Sequence, residues 1–135
     1  MARWFDDDEI RGLDARLVAL LDQMREDFGR PFVITSGARS PEHNTTVGGA
    51  TDSAHLTGEA ADGYFVGAPL LVMFVHALRY EYTGVGVYPW TTPPVIHLDV
   101  KGRVPSRPRR LWARDATDHY VYCPTPEFNA ILRAL

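Results

Sequence analysis

The stretch VIHLDV at residues 95–100 decides the fold, because apolar and polar side chains alternate in it from Ile96 to Val100. Successive side chains of a strand point to opposite faces of a sheet, so the alternation predicts a strand with one buried face. The predicted core face carries Ile96, Leu98 and Val100. The other face carries Val95, His97 and Asp99. We therefore expect His97 and Asp99 to emerge together, opposite a loop that carries His55.

Apolar patterns elsewhere predict the elements that surround this strand. The predicted strands are residues 32–36, 60–66, 85–88 and 95–100. The predicted helices are residues 14–28, a short helix that opens at Pro41, and residues 69–80. This mixture predicts an α+β fold, and 135 residues suit one small domain that covers residues 1–135. The order of the tail, residues 101–135, does not follow from its pattern.

Composition excludes several classes of function. The formal net charge is -3, without the basic excess of a nucleic-acid-binding domain, so we expect no nucleic-acid partner. The longest apolar stretch, residues 68–78, is too short to span a bilayer, and we expect no membrane insertion. The first ten residues are acidic and lack an apolar run, which predicts synthesis in the cytoplasm without a signal peptide. The single cysteine, Cys123, cannot form an internal disulfide. We expect a monomer.

Two imidazoles and one carboxylate, from His55, Asp62 and His97, are a ligand set suited to zinc with one position left open. A continuous helix would separate His55 from Asp62 by about 10 Å along its axis, too far for two ligands of one ion. The chain must bend between them, and Gly58 allows this. On residue type and spacing alone, ordinary surface or core histidines stay an open alternative.

Ordered motifs around these residues resemble those of the M15 family of zinc peptidases. They are SxHxxGxAxD at residues 53–62, GVGVYP at 84–89 and IHLDV at 96–100, preceded by ITSGARSPEHN at 34–44 and VGG at 47–49. The resemblance covers roughly residues 5–100. It implies a hedgehog/DD-peptidase-like fold, in which an antiparallel sheet has helices packed on one side.

The resemblance also implies a reaction, which is hydrolysis of an amide bond in peptidoglycan stem peptides or cross-links with one zinc ion. It assigns His55, Asp62 and His97 as the ligands. Arg39 matches the arginine that meets the substrate's carboxylate or polarised carbonyl, and Ser36 matches a hydroxyl near it. A solvated loop arginine is the alternative for Arg39.

Some positions leave roles open or depart from the family pattern. Many members place an acidic general base three residues before the last ligand, where this chain has Pro94. Asp99 is the substitute candidate for that base, with an equal alternative as the group that orients an imidazole. Gly63 stands where an aliphatic residue usually follows the aspartate, which puts the rigidity of this strand in question. Tyr88 is expected either to bind substrate in the groove or to pack at a strand end.

The function expected from these features is that of a cell-wall lytic peptidase of the phage endolysin type, acting on peptidoglycan peptides. One alternative is a carboxypeptidase of wall maturation that releases terminal D-alanine. A second alternative, motivated by Pro94, is a zinc-containing module that binds the cell wall without turnover.

Overall fold

The computed structural model describes residues 2–51, 53–102 and 108–135. Its strands are β1 (Phe32–Ser36), β2 (Ala60–Phe65), β3 (Gly84–Tyr88), β4 (Val95–Asp99), β5 (Arg110–Arg114) and β6 (Tyr120–Tyr122). Its α-helices are α1 (Ala15–Phe28), α2 (Pro41–Thr46), α3 (Leu70–Ala77) and α4 (Pro126–Ala134), and a 3-10 helix covers Ala54–Thr57. The fold is thus the single small α+β domain that the sequence predicts. None of the helices described here has the length and apolar character needed to cross a membrane.

The six strands form one sheet in the order β1-β2-β4-β3-β5-β6. Four neighbouring pairs are antiparallel, but β3 and β5 run parallel, with Gly84 opposite Arg110. The sheet is therefore mixed, which corrects the expectation of a wholly antiparallel sheet at this one pair. The reason lies in the connection. Asp99, the last residue of β4, is also opposite Gly84, the first residue of β3. Strand β4 therefore ends, and β5 begins, at the end of the sheet where β3 begins, so β5 runs in the same direction as β3.

Local sequence signals fix both ends of α1. The side chain of Asp14 accepts a hydrogen bond from the backbone amide of Arg16 at 2.8 Å and so caps the first turn. Gly29 closes the helix at φ 77°, a left-handed conformation that costs glycine little because it has no Cβ. Leu17 and Leu21, one turn apart, are completely buried. The amphipathic pattern read from the sequence thus attaches α1 to the core.

The core lies between one face of the sheet and three helices. Ile96, Leu98 and Val100 are completely buried, as their alternation predicts. They belong to one apolar cluster with side chains of all three helices, among them Leu21 of α1, Met73 of α3 and Phe128 of α4. Each large apolar side chain buried in this way contributes about 1.5–3 kcal/mol. The helices α1, α3 and α4 therefore cover this face, as the predicted one-sided packing requires, and the opposite face is left for the site.

A straight row of residues crosses five strands on that opposite face. Asp62 is opposite His97, His97 is opposite Gly86, Gly86 is opposite Trp112, and Trp112 is opposite Tyr122. Partners in register point to the same face of a sheet, so these positions form one line, here called the site row. A Cβ on Gly86 would lie 2.7 Å from the Trp112 indole, so this position accepts only glycine without a shift of the ring.

The glycine in the middle of β2 does not interrupt the strand. Gly63 is paired with Ile34 on one side and Ile96 on the other. A Cβ at this position would lie 2.6 Å from the Phe32 ring. The ring of Phe32 occupies the space that an aliphatic side chain would need, and β2 continues through Gly63 although the register with β1 shifts between Ile34 and Ser36.

The described part of the tail belongs to the same domain. Strands β5 and β6 extend the sheet, and α4 buries Phe128 in the core to 1% exposure. Residues 103–107 lie outside the described residues. The tail therefore contributes two strands to the face that carries the site row, which its sequence pattern did not predict.

Candidate metal centre

Three elements bring His55, Asp62 and His97 into one buried group. His55 lies in the 3-10 helix, while Asp62 and His97 are partners across β2 and β4. All three side chains are buried. The residues expected from the sequence as ligands thus converge, although His55 and Asp62 are seven positions apart and lie in different elements.

The bend between His55 and Asp62 is made at Gly58, as the spacing predicts. Gly58 has φ 73°, and a Cβ there would lie 2.0 Å from the carbonyl oxygen of Gly12. Its own carbonyl accepts a hydrogen bond from the backbone amide of Asp14 at 2.8 Å. Both the backbone conformation and the close approach of the segment before α1 therefore require glycine.

Hydrogen bonds orient both imidazole rings. Nδ1 of His55 lies 2.8 Å from the carbonyl oxygen of Gly37, so this nitrogen donates and Nε2 is left as the ligand atom, 3.3 Å from Oδ1 of Asp62. His97 is turned the other way. Its Nδ1 lies 2.8 Å from Oδ1 of Asp62, and its Nε2 lies 2.8 Å from Oδ2 of Asp99. Each ring thus directs one nitrogen toward the group and binds a protein oxygen with the other, an arrangement typical of metal-binding histidines.

The donor set fits a metal ion. One ligand atom from each of His55, Asp62 and His97 lies within 4.8 Å of the other two. Ligands held at about 2.0–2.1 Å from a tetrahedral ion lie roughly 3.3 Å from one another, which is close to the spacing found between His55 and Asp62. Three protein ligands leave a fourth position open, as a catalytic rather than a structural site requires.

The charges in this group stabilise one another. Burial alone would raise the pKa of Asp62, but hydrogen bonds and charges of His55 and His97 outweigh it and hold this pKa well below its usual value. Burial alone would lower the pKa of His97, but its contacts with Asp62 and Asp99 raise this pKa to about 9. The site therefore keeps Asp62 as a carboxylate, the form in which it can bind a metal.

Asp99 is enclosed behind His97. Its side chain is 1% exposed, and besides His97 it contacts the guanidinium of Arg110 at 2.5 Å and the backbone amide of Lys101 at 3.1 Å. A Cβ on Gly84 would lie 2.3 Å from Oδ2 of Asp99, so glycine at this position makes room for the carboxylate. These contacts are those of a group that orients the imidazole, which is the second of the two roles that the sequence left open.

Arg39 lies beside the candidate ligands and not in bulk solvent. Its Nε donates to Oγ of Ser36 at 3.1 Å, and its NH2 group lies 3.5 Å from Oδ2 of Asp62. Ser36 is not part of the cavity wall and meets the site through Arg39. Asn44, which was not among the expected site residues, accepts from Arg39 through Oδ1 at 3.2 Å and donates to the Ala50 carbonyl through its amide at 2.9 Å.

The structure encloses Asn44 tightly. Asn44 is only 4% exposed, which is unusual for an asparagine and requires satisfied hydrogen bonds. A Cβ on Gly49 would lie 2.0 Å from Oδ1 of Asn44. The pair of glycines at 48–49 therefore includes one position where a side chain would displace the amide that holds Arg39.

A cavity of about 490 Å³ lies over the candidate ligands. Tyr88 lines it and is 8% exposed, with its ring 6.1 Å from the His97 ring. Pro94 is exposed and is not part of the wall. Among the described residues that line the cavity, the carboxylates are Asp62 and Asp99. Neither carboxylate is free of partners, so the described wall offers no obvious replacement for the missing acidic base.

Part of the cavity wall comes from the tail, which the sequence analysis did not include in the site. Besides Lys101, which directly follows the last motif, these residues are Arg110, Trp112, Arg114, Tyr120 and Tyr122. These five lie on β5 and β6, beyond the motifs that carried the prediction. Their alternation is too short to reveal a strand, and only pairing with β3 places them beside the site.

Comparison with models of known protein families gives a match over most of the chain. The family model described as Peptidase M15 matches residues 5–99, which is well over half of the chain. The matched segment contains all three candidate ligands together with Arg39 and Asp99. No curated protein matches the chain in sequence.

Proposed function

This chain belongs to the peptidase M15 family, and from that membership we propose that it is a zinc peptidase which hydrolyses an amide bond in the peptide part of bacterial peptidoglycan. The proposed type is a cell-wall lytic peptidase resembling phage endolysins. Family membership implies a metallopeptidase. We propose three further points, namely which bond is cleaved, that the substrate is the cell wall and that the metal is zinc.

One observation carries the proposal, namely the convergence of two oriented imidazoles and a carboxylate beneath an open cavity. Nε2 of His55, a carboxylate oxygen of Asp62 and Nδ1 of His97 would hold the ion. When bound, zinc supplies a Lewis acid and an acidified water for attack on a carbonyl. All three ligands come from one chain, which supports activity as a monomer.

The chain's own residues have distinct tasks in this proposal. Asp99 receives the Nε2 proton of His97 in a hydrogen bond and so keeps Nδ1 free as the ligand atom. Arg39 presents a permanently charged, planar fork beside Asp62, where it can bind the carboxylate or developing oxyanion of the substrate. Ser36 and Asn44 hold that fork from two sides.

The charge of the cavity supports an anionic substrate. Among the described residues of its wall, the cations are Arg39, Lys101, Arg110 and Arg114, and the carboxylates are Asp62 and Asp99. The arginines are themselves in ion pairs, Arg39 with Asp62, Arg110 with Asp99 and Arg114 with Asp118, so the described wall has a modest excess of positive charge. This excess is local, because the whole chain has a formal net charge of -3. Peptidoglycan stem peptides carry several carboxylates, and a cationic cleft attracts and orients such a ligand.

The decisive experiment is digestion of purified sacculi by the zinc-loaded protein, with the products identified by mass spectrometry. We expect soluble fragments whose masses name one cleaved amide bond, and no fragments from a His97→Ala variant. Release of terminal D-alanine alone would replace the lytic peptidase with the carboxypeptidase alternative. The exposed Pro94 at the usual base position favours the second alternative, a binding module. That alternative would be supported if the wild-type protein bound sacculi through His97 and left every fragment intact.

A further inference from the structure

The site row continues past the metal centre into a patch of aromatic side chains. Trp112 and Tyr122 are partners across β5 and β6, and Tyr120 lies two residues before Tyr122 on the same face. Together they form what we call the aromatic wall, defined as Trp112, Tyr120 and Tyr122. All three line the cavity that contains the candidate metal ligands. The wall is therefore continuous with the site.

The outer part of the wall is open to solvent. Tyr120 is 47% exposed and Tyr122 is 55% exposed, while Val121 between them packs against the apolar core. Trp112 is 6% exposed, with its ring 4.9 Å from the ring of His97. Exposed aromatic rings side by side on a cavity wall are a surface suited to binding a ligand with an apolar face.

A guanidinium forms part of the same surface. Arg114 lies 5.4 Å from the ring centre of Tyr88 and 5.3 Å from that of Tyr120. It is also paired with Asp118. The cation thus lies within cation–π distance of one buried and one exposed ring of the cavity wall. The surface thus combines flat rings with polar hydrogen-bond donors at its edge.

We propose that the aromatic wall is a subsite for the saccharide that carries the stem peptide, with Tyr120 and Tyr122 stacking on a sugar ring. This proposal rests on the proposed function and names a second part of the same substrate. A pyranose ring has one face of C–H groups that packs on aromatic rings, and hydroxyl and acetamido groups that bind donors at its edge. The wall lies outside residues 5–99, so the tail of this chain supplies it.

The dimensions of the sheet suit a sugar joined to the metal centre by a peptide. β4 and β6 are separated by three strand spacings, or about 14 Å. An extended peptide covers this distance with about four residues. If a sugar is held at Tyr122, an extended stem peptide reaches His97 at about its fourth residue. The bond cleaved would then lie near this fourth residue and not next to the first one.

Two substrates test the subsite, a cross-linked disaccharide-peptide dimer and the same cross-linked peptide without sugar. We expect the ratio of their kcat/KM values to favour the glycosylated substrate, and to fall about tenfold when both tyrosines are changed in Tyr120→Ala/Tyr122→Ala. Tyr120→Phe/Tyr122→Phe keeps the rings and should keep the ratio. Trp4→Ala is the control, because Trp4 is an exposed aromatic residue that packs on α1 and does not line the cavity.

Failure of the subsite is distinguishable from failure of the proposed function. Cleavage of both substrates with a ratio unchanged in the alanine variant would overturn the subsite alone, as would cleavage next to the first residue of the glycosylated substrate. Cleavage of neither substrate would contradict the proposed function. In that case calorimetric affinities of the two ligands test the subsite directly, and equal affinities would overturn it.

Discussion

Oδ2 of Asp99 lies 2.8 Å from Nε2 of His97, on the side of the imidazole opposite to Asp62. The two residues stand two positions apart on one face of β4, as the alternation of the sequence predicts. The alternation does not predict the direction in which the His97 ring points. The hydrogen bond with Asp99 supplies that direction, which favours a positioning role for this carboxylate.

This geometry gives opposite expectations for the two roles of Asp99 in an Asp99→Asn variant. As a positioning residue, Asp99 acts through His97, so its loss should weaken zinc binding about 10–100-fold, measured by competition with a chelator. Turnover should then recover substantially at saturating zinc. As a general base, its loss would abolish turnover and leave zinc affinity intact.

A matched control for the change of carboxylate to amide is Asp115→Asn. Asp115 is a surface carboxylate that binds groups of its own turn, through Thr117 and His119. Zinc affinity in this variant should equal that of the wild type. An Asp99→Asn protein with normal zinc affinity and no turnover would restore Asp99 as the base.

The absence of a side chain at Gly84, next to the Asp99 carboxylate, gives a second prediction. In Gly84→Ala the new methyl carbon would start 2.3 Å from Oδ2 of Asp99, so the carboxylate or the strand must move. We expect a loss of about 1–3 kcal/mol in the free energy of unfolding, measured by urea denaturation, together with weaker zinc binding. Gly37→Ala is the comparison, since its nearest contact of 3.6 Å is ordinary. Equal stability of the two variants would show that Asp99 is not tightly enclosed.

Much of the fold could be predicted because its signals are local. The period of two in residues 96–100 identifies the core face of β4, and Asp14 and Gly29 mark the ends of α1. The convergence of His55 with Asp62 also followed, since Gly58 was the residue able to bend the chain between them. In each case the feature that determines the structure, an alternation, a helix cap or a glycine, lies within a few residues of the element that it shapes.

The remaining features depend on contacts between distant segments. Strand β5 is parallel to β3 because of where the connection from β4 ends, and the residues of β5 do not encode that direction. The three residues of β6 are too few for a pattern, so Tyr120 and Tyr122 gave no sign of lining the cavity. The contact between Asn44 and Arg39 is local, five residues apart in one motif, but the burial that fixes it comes from the packing of the surrounding loop.

The contact between Asn44 and Arg39 predicts a change in substrate binding. In Asn44→Ala the NH1 group of Arg39 loses this acceptor, while the Ala50 carbonyl keeps only the backbone amide of Ser53 as its donor. We expect KM for a carboxylate-bearing peptide to rise about tenfold, because the fork of Arg39 is no longer fixed, with a smaller change in kcat. Zinc affinity should be unchanged, since Asn44 has no recorded contact with the three ligands. A loss of zinc binding in this variant would mean that Asn44 supports the metal centre instead.

His76, on the helix side of the sheet, predicts how stability depends on pH. Its ring is buried between Phe28 and Phe65, and this burial, with the charge of Arg79, lowers its pKa below 6.5 although Met24 and Asp27 oppose the shift. The folded state therefore binds fewer protons than the unfolded state once the pH falls below about 6.5, so stability is full above that value and is lost toward acid.

His76→Gln cannot take up that proton. The wild type should thus lose more free energy of unfolding than the variant between pH 8 and pH 5, by up to about 1.4 kcal/mol per pH unit below 6.5. Urea denaturation at both pH values measures the difference, and identical losses in the two proteins would show that His76 does not titrate in the core.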